Sequence, residues 1–334
     1  MRAIVVEEPG GPEVLQLRDA PEPVLREGDL LIEVKAAGVN RADLLQRLGR
    51  YPPPPGESAI IGMEIAGVVR EVAPGAAGSG PGGHSFARGD RVMALLGGGG
   101  YAERARVPAS QAMVVPDNIS FLEAAALPEV FLTAWLNLFL LGGLREGEVC
   151  VVHAAASGVG TAALQLCRGV ASVILATASS GKLPSLAQFG ATHLLARAEV
   201  PARLAEAVVS AAGRGADLIL DLVGASYLEA NVAALGMHGR LVCLATQGGA
   251  RGTLDLGAML QRRLTVSGST LRTRTREEKA RLCADFSQKA LPRFSRGELR
   301  PVLAMTFPLA QAAEAHARLA RDEVVGKIVL EVAG

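Results

Sequence analysis

Two rhythms of hydrophobic and polar positions divide the chain. Up to about residue 122 the apolar runs are short and rich in Val and Ile: Arg2 to Glu8 alternates, and Leu30 to Val34, Ile65 to Val72 and Arg91 to Leu95 follow. Glycine and proline separate them at Gly10-Gly11, Pro52 to Pro55 and Gly97 to Gly100, as expected of strands joined by turns. The pattern predicts a β-rich, partly barrel-like domain. Within it Pro74 to Gly89, punctuated by Gly75, Gly78, Gly80, Gly82 and Gly83, reads as a flexible surface loop, and His84 as a solvated histidine.

Beyond Leu122 the period lengthens. A helical stretch to Leu141 leads into a strand at Glu148 to Ala154, a glycine-containing turn and a helix at Thr161 to Arg168. Strands at Ser172 to Thr177, Thr192 to Leu195, Ala216 to Asp221, Arg240 to Ala245 and Leu264 to Ser269 then alternate with helices. Those helices are Lys182 to Phe189, Ala202 to Ala212, Tyr227 to Leu235 and Leu256 to Arg262. Six strands with crossover helices predict the α/β class, a Rossmann doubly wound parallel sheet beside the β-rich domain. After about Ser267 the alternation stops. Residues 272 to 300 carry Arg272, Arg274, Arg276, Lys279, Arg281, Lys289, Arg293, Arg296 and Arg300 against Glu277, Glu278, Asp285 and Glu298, which suits a solvated helix face or an anion site. Gly326 to Val332 alternates again and reads as a strand that returns the chain to the first domain.

Composition narrows the function. A length of 334 residues fits two domains at about 100 to 200 residues each. With 34 basic against 33 acidic residues the net charge is +1, so no global field draws a phosphate backbone or an anionic membrane, and 4% aromatics are few for an RNA-stacking platform. Mean hydropathy is +0.29, which makes a membrane span worth testing. The longest apolar stretch, Val130 to Leu144, is broken by Thr133 and Asn137 and falls short of the roughly 18 to 20 residues a bilayer needs. Cys150, Cys167, Cys243 and Cys283 lie far apart with no C-x-x-C pair, so neither a zinc knuckle nor a disulfide framework is expected. With no signal-like segment at Arg2 to Glu8, a reducing, cytoplasmic location is expected.

The chemistry enters at Val149 to Gly160, Val-Cys-Val-Val-His-Ala-Ala-Ala-Ser-Gly-Val-Gly, a strand running through a tight turn into a helix. Amides at a helix start attract a pyrophosphate, and small residues let the backbone approach it. Ala155 and Ser157 replace the first two glycines of the usual fingerprint, while Gly160 keeps the third. Ser157, Gly158, Val159 and Gly160 are therefore candidate cofactor-binding residues. The second strand exits through Thr177-Ala178-Ser179-Ser180-Gly181-Lys182 with no acid to hold a ribose 2′-hydroxyl. Ser179 and Lys182, with Arg197 past the third strand, suit a 2′-phosphate and predict NADPH.

These features, with Pro9-Gly10-Gly11-Pro12-Glu13, Asn40-Arg41-Ala42-Asp43, Gln46, Gly49, Tyr51-Pro52-Pro53-Pro54, Ala125 to Glu129, Leu132-Thr133-Ala134, Ser157 to Ala163 and Gly326 to Leu330, resemble the medium-chain dehydrogenase/reductase superfamily. Within it the resemblance is to the zinc-independent quinone oxidoreductases of the zeta-crystallin type, and among these to the tumour-suppressor-induced branch of vertebrates. The resemblance implies a GroES-like catalytic domain at residues 1–123 and 268–334 and a Rossmann NADPH-binding domain at 124–267. Zinc-dependent relatives place a cysteine ligand where this chain has Asn40 and a histidine where it has Met63; an amide and a thioether do not replace them, so zinc is expected to be absent.

Hydride transfer from NADPH to an electron-poor quinone needs little acid–base help. By resemblance Tyr51, Asn40 and Asp43 lie on the quinone side, with Tyr51 donating to the reduced oxygen; packing of a loop by Tyr51 and helix capping by Asp43 are the plainer roles. Thr133, Ala245, Leu271, Arg272 and Lys327 are implied at the cofactor. A small-molecule quinone, an ortho-quinone by preference, is the expected substrate, and a homodimer the expected assembly. An enone or enoyl reductase on the same fold is the nearest alternative. A non-catalytic NADPH sensor, structural crystallin or RNA-binding protein is the alternative from another class.

Overall fold

A computed structural model describes residues 1–332. The chain forms two compact units, one from Met1–Leu132 with the chain from Leu271 onward, the other from Thr133–Thr270. In chain order the first unit opens with strands β1 (Arg2–Val5), β2 (Gln16–Asp19) and β3 (Asp29–Val39), helix α1 (Arg41–Arg47), strands β4 (Glu64–Val72), β5 (Arg91–Leu95), β6 (Arg104–Pro108) and β7 (Ala112–Val114), helix α2 (Phe121–Ala124) and the start of helix α3 (Pro128–Trp135), whose residues from Thr133 on belong to the second unit. The second unit follows as β8 (Val149–Val152), α4 (Gly158–Cys167), β9 (Val173–Ala178), β10 (His193–Ala196), α5 (Val200–Ala212), β11 (Ala216–Asp221), α6 (Ala225–Ala234), β12 (Leu235–Cys243), α7 (Leu256–Arg262) and β13 (Thr265–Gly268). The chain then returns through α8 (Arg276–Lys289), α9 (Leu291–Ser295), β14 (Leu303–Pro308), α10 (Ala312–Ala320) and β15 (Lys327–Glu331).

In the first unit one sheet runs β14-β15-β3-β4-β5-β7, with β6 paired to β3. The C-terminal strand β15 lies antiparallel to β3, Ile328 opposite Val39 and Val329 opposite Gly38. That register carries Lys327 to the end of β3 where α1 begins. The core beneath draws on Ile4, Leu30, Ile32, Ile65, Val92, Tyr101, Ile328 and Leu330, so residues from both ends of the sequence fill one interior.

The second unit is a six-stranded sheet in the order β10-β9-β8-β11-β12-β13, every neighbour parallel. This is the doubly wound fold the alternation predicts. All four residues of β8 are buried, as a central parallel strand covered by helices on both faces requires. The order reverses around β8, so the carboxyl ends of β8 and β11 mark the switch point at which such sheets bind ligands.

Three local readings are corrected, and a fourth, that of the basic run, is refined. The helix expected at Lys182 to Phe189 is two short 3₁₀ segments, Ser180–Ser185 and Ala187–Phe189, because Pro184 inside it lacks an amide and crowds the preceding turn. The stretch from Leu122 to Leu141 is three pieces, α2, α3 beginning at Pro128, and a π-helical turn at Leu136–Leu141. After Ser267 there is a further strand, β14, parallel to β15. The basic run of 272 to 300 is largely paired: Arg274 with Glu278, Arg276 with Asp29, Lys289 with Asp285, Arg293 and Arg296 with Glu298, and Arg300 with Glu123. Arg272 and Lys279, by contrast, are buried.

Candidate active site

Asn40 ends β3 with extended backbone (φ −124°, ψ 154°) and is the residue before α1. Its amide N–H donates to Asp43 Oδ2 at 2.7 Å, so Asp43 does cap the helix, accepting one of the first-turn donors left without a carbonyl partner. Asn40's side chain is used elsewhere. Nδ2 donates to Glu64 Oε1 at 2.9 Å, and Oδ1 accepts from Lys327 Nζ at 2.5 Å. Lys327 also donates to the Val39 carbonyl at 2.8 Å and forms an ion pair with Glu64 Oε1 at 2.7 Å. An ammonium has three protons, and these three acceptors use them all. Glu64 Oε2 accepts from the Glu129 backbone N–H at 2.8 Å. The approach requires Gly38, since a Cβ there would overlap the Glu64 carboxylate and the Ala125 carbonyl.

A second set of polar groups lies behind Asp43. The Tyr101 hydroxyl donates to Asp43 Oδ2 at 3.2 Å and lies 3.0 Å from His316 Nε2. With the single hydroxyl proton directed at Asp43, His316 Nε2 is the donor to the Tyr101 oxygen. Burial raises Asp43 to about 6 against the pull of the Asn40 amide, Lys327, Tyr101 and Arg272. Burial, with the charge of Arg47 adding to it, lowers His316 to about 3, so that ring is neutral. Burial also raises Glu129, to about 8, and the neighbouring Glu64 carboxylate pushes the same way.

Tyr51 is half-buried, with its ring under the Arg272 guanidinium at 5.2 Å. Arg272 donates to the carbonyls of Gly97 at 2.8 Å and Tyr51 at 3.2 Å and to Gln46 Oε1 at 2.6 Å, so its fork fixes three loop segments at once. Leu271 beside it is buried. Lys279 on α8 is 5% exposed, and burial lowers its amine from the ordinary lysine range. Among the described residues no group of three or more His, Cys, Asp or Glu side chains is arranged to hold a metal ion.

The second unit carries the turn at Ala154 to Gly160 that the sequence singles out for a nucleotide. Ser157 caps α4 by accepting the Gly160 N–H at 3.1 Å, and the amides of Gly158 and Val159 stand at the helix start, where no earlier carbonyl exists to take them. Gly160 admits no side chain: a Cβ would sit 2.5 Å from the Ala154 carbonyl oxygen. The turn itself is strained, with Ala154 at φ 48°. Beneath it His153 is buried, Nδ1 at 2.8 Å from Thr177 Oγ1 and Nε2 at 2.7 Å from Asn231 Oδ1. Asn231 Nδ2 in turn donates to Asp221 Oδ2 at 3.1 Å. These bonds tie the ends of β8, β9 and β11 to α6.

Ser179 and Lys182 leave β9 together, the Lys182 amide donating to the Ser179 carbonyl at 2.9 Å. Arg197 leaves the adjacent β10, its amide on the Ala178 carbonyl at 2.7 Å and its own carbonyl accepting from the Tyr227 hydroxyl at 2.8 Å. Ala245 follows β12 at the same edge of the sheet. Ser157 to Gly160, Ser179, Lys182, Arg197 and Ala245 thus all lie just past carboxyl ends of parallel strands. Thr133 lies on α3 and is partly exposed, its carbonyl accepting from Asn137 Nδ2 at 2.7 Å. Leu271, Arg272 and Lys327 belong to the first unit with Asn40, Asp43 and Tyr51.

Residues 26–117 match the description of an alcohol dehydrogenase GroES-like domain, and residues 189–330 that of a zinc-binding dehydrogenase. The human quinone oxidoreductase is 31% identical over 337 residues, covering 99% of this chain and 97% of its own length. The chain belongs to the medium-chain dehydrogenase/reductase superfamily. The human synaptic vesicle membrane protein VAT-1 homolog is 30% identical over 331 residues, covering 95% of this chain and 82% of its own. Among solved structures, the quinone oxidoreductase of Thermus thermophilus, described also in complex with NADPH, is 36% identical with a TM-score of 0.82, covering 99% of this chain and 100% of that one.

Reading this medium-chain dehydrogenase/reductase by sequence alone does not single out Glu64, Glu129, Lys279, Tyr101 or His316. For Glu64 and Glu129 a signal exists: Glu129 closes the stretch Ala125 to Glu129 that carries the resemblance, and Glu64 follows Met63, where zinc-dependent relatives place a histidine ligand. Tyr101 and His316 are 215 residues apart and meet only because β15 and α10 return to the first unit.

Proposed function

We propose that this chain reduces quinones, ortho-quinones by preference, with NADPH as hydride donor and without zinc. The observation that carries the reading is Lys327. A zinc ion does not fit these donors: Asn40 and Met63 stand at the ligand positions of zinc-dependent relatives, Asn40 Oδ1 and Glu64 Oε1 are already taken by the lysine ammonium, and Glu64 Oε2 by the Glu129 backbone N–H. Chemistry that needs no Lewis acid is what remains, and reduction of an acceptor already short of electrons is such chemistry.

NADPH, when bound, supplies a hydride. Ser157 to Gly160 would receive its pyrophosphate, Ser179, Lys182 and Arg197 its 2′-phosphate, and Thr133 and Ala245 would complete its site; the NADPH complex of the Thermus relative supports that choice. Tyr51, held by Arg272, would donate a hydrogen bond to a quinone oxygen, Leu271 and Arg272 would border the cofactor, and Asn40 would orient the substrate with an amide whose flip is fixed by Lys327 and Glu64. Asp43 holds Asn40's backbone. We infer also that two chains pair through β13, an edge strand beside which Leu256 and Leu260 are 65% and 80% exposed.

The test is NADPH oxidation with an ortho-quinone beside an enone, repeated with NADH and with a chelator. Chelator-resistant turnover of the quinone, faster with NADPH than NADH, is the expected result. Turnover of the enone alone would move the assignment to alkene reduction, and none on either substrate would remove the catalytic reading.

A further inference from the structure

Quinone reduction, on which this inference rests, consumes a proton as well as a hydride. The hydride brings two electrons and one hydrogen nucleus and leaves a hydroquinone monoanion; the second oxygen must then take a proton from an acid whose O–H bond breaks. The first unit offers few donors. Glu64 is fully buried with both oxygens engaged, and Asp43 is fully buried behind Asn40. Tyr51 is reluctant to give up its proton, being raised above the usual phenol range chiefly by burial.

Glu129 differs from all three. It stands in the first turn of α3, its backbone N–H on Glu64, yet its carboxyl makes no hydrogen bond or ion pair with any described residue, and the residue is partly exposed where its acidic neighbours are sealed. The groups that face it are Glu64 on β4, Asp43 next to Asn40 on α1, Lys327 on β15, Lys279 on α8, and Tyr51 and Arg272 from the loops. Lys327 is committed to Glu64 at 2.7 Å, and Arg272 to three oxygens, so neither is a dedicated cation for Glu129.

We propose that Glu129 is the acid of this site: its carboxyl gives the proton to the reduced quinone oxygen, and the carboxylate left behind is reprotonated from water. Tyr51 then orients the oxygen rather than supplying its proton. The rise of Glu129 to about 8 fits a group still protonated at neutral pH.

The experiment is the pH dependence of kcat and kcat/KM with NADPH and an ortho-quinone for the wild-type chain, Glu129→Gln, Glu129→Asp and Tyr51→Phe, beside infrared carbonyl difference spectra of the substrate-free protein. In the wild type the rate should fall above about pH 8, about tenfold per pH unit. Glu129→Gln should lower kcat on the order of a hundredfold and lose that limb, while Glu129→Asp keeps a limb at reduced rate and Tyr51→Phe keeps it in place. A protonated-carboxyl band that titrates in the wild type near pH 8 and is missing from Glu129→Gln is expected whether or not any quinone turns over. An unchanged alkaline limb in Glu129→Gln, or no such band in the wild type, would overturn the assignment. The band present without quinone turnover in the wild type would instead overturn the quinone-reductase reading beneath it, and the assignment with it.

Discussion

Lys327 gives each of its three protons to an oxygen of the first unit, and the effect of removing it follows from that. Lys327→Met keeps the side chain's length but leaves Glu64, 0% exposed, without its cation and Asn40 without a donor. Breaking one side of such a buried pair costs about 3–5 kcal/mol, so the denaturant midpoint should fall sharply, and Lys327→Met with Glu64→Gln together should recover much of the loss. A midpoint within error of wild type for the single variant would show that the pair carries no such weight. His316 sets an acid limit. Its folded value of about 3 lies below the ordinary 6.5, so its contribution to stability is present above 6.5 and is lost as pH falls towards 3. Asp43, raised from 3.8 to about 6, runs the other way, its contribution complete below 3.8 and lost as pH rises through 6. His316→Gln should therefore lose less stability than wild type between pH 6.5 and 3. Equal acid slopes in urea unfolding would contradict this. At this scale the sequence offers Asn40, Asp43 and Tyr51 through motif resemblance, because they cluster within a dozen residues. It hides Tyr101 and His316, whose neighbours in sequence say nothing of a partner in another strand or helix.

Elements with local causes are the legible ones. Ser120 and Glu123, and Thr275 and Glu278, are spaced as reciprocal caps, and each pair opens a helix. The buried strand β8 and the turn to α4 follow from an apolar run ending in small residues. By contrast β14, with three exposed residues in a row at its centre, lacks the alternation that would announce it, and it is ordered by its parallel pairing with β15. The second-strand exit is a short 3₁₀ segment rather than a helix, which keeps Lys182 one turn from Ser179. Lys182→Ala should raise the Kd for NADPH about tenfold or more while leaving that for NADH within about twofold, as loss of a charge-assisted phosphate contact predicts. Fluorescence titration with the two nucleotides measures both. Equal losses would place the residue outside the 2′-phosphate site.

On the scale of the whole molecule, the balance of 34 basic and 33 acidic residues is legible at once and agrees with a surface on which most of the basic run is paired. The proposed pairing through β13 is tested at that edge. If the chains pair as proposed, the wild type should sediment as a dimer and Leu260→Glu, on an exposed face beside β13, as a monomer, with little change in the chain's own unfolding, since a surface position away from the core costs within about 0.5 kcal/mol. A dimer that survives the change would move the interface elsewhere. The division of the chain also fixes an order of manufacture. Thr133–Thr270 is one uninterrupted stretch and completes its core as soon as it has left the ribosome, whereas the sheet of the first unit waits for β15 to enter between β3 and β14. Until Lys327 emerges, Glu64 is a buried acid without the ammonium that pairs with it. A ribosome halted just short of it would display a folded nucleotide unit on a half-built sheet with an open edge, a species for chaperones to hold. The strand that carries Lys327 to Glu64 is thus also the one that fills the gap between β3 and β14.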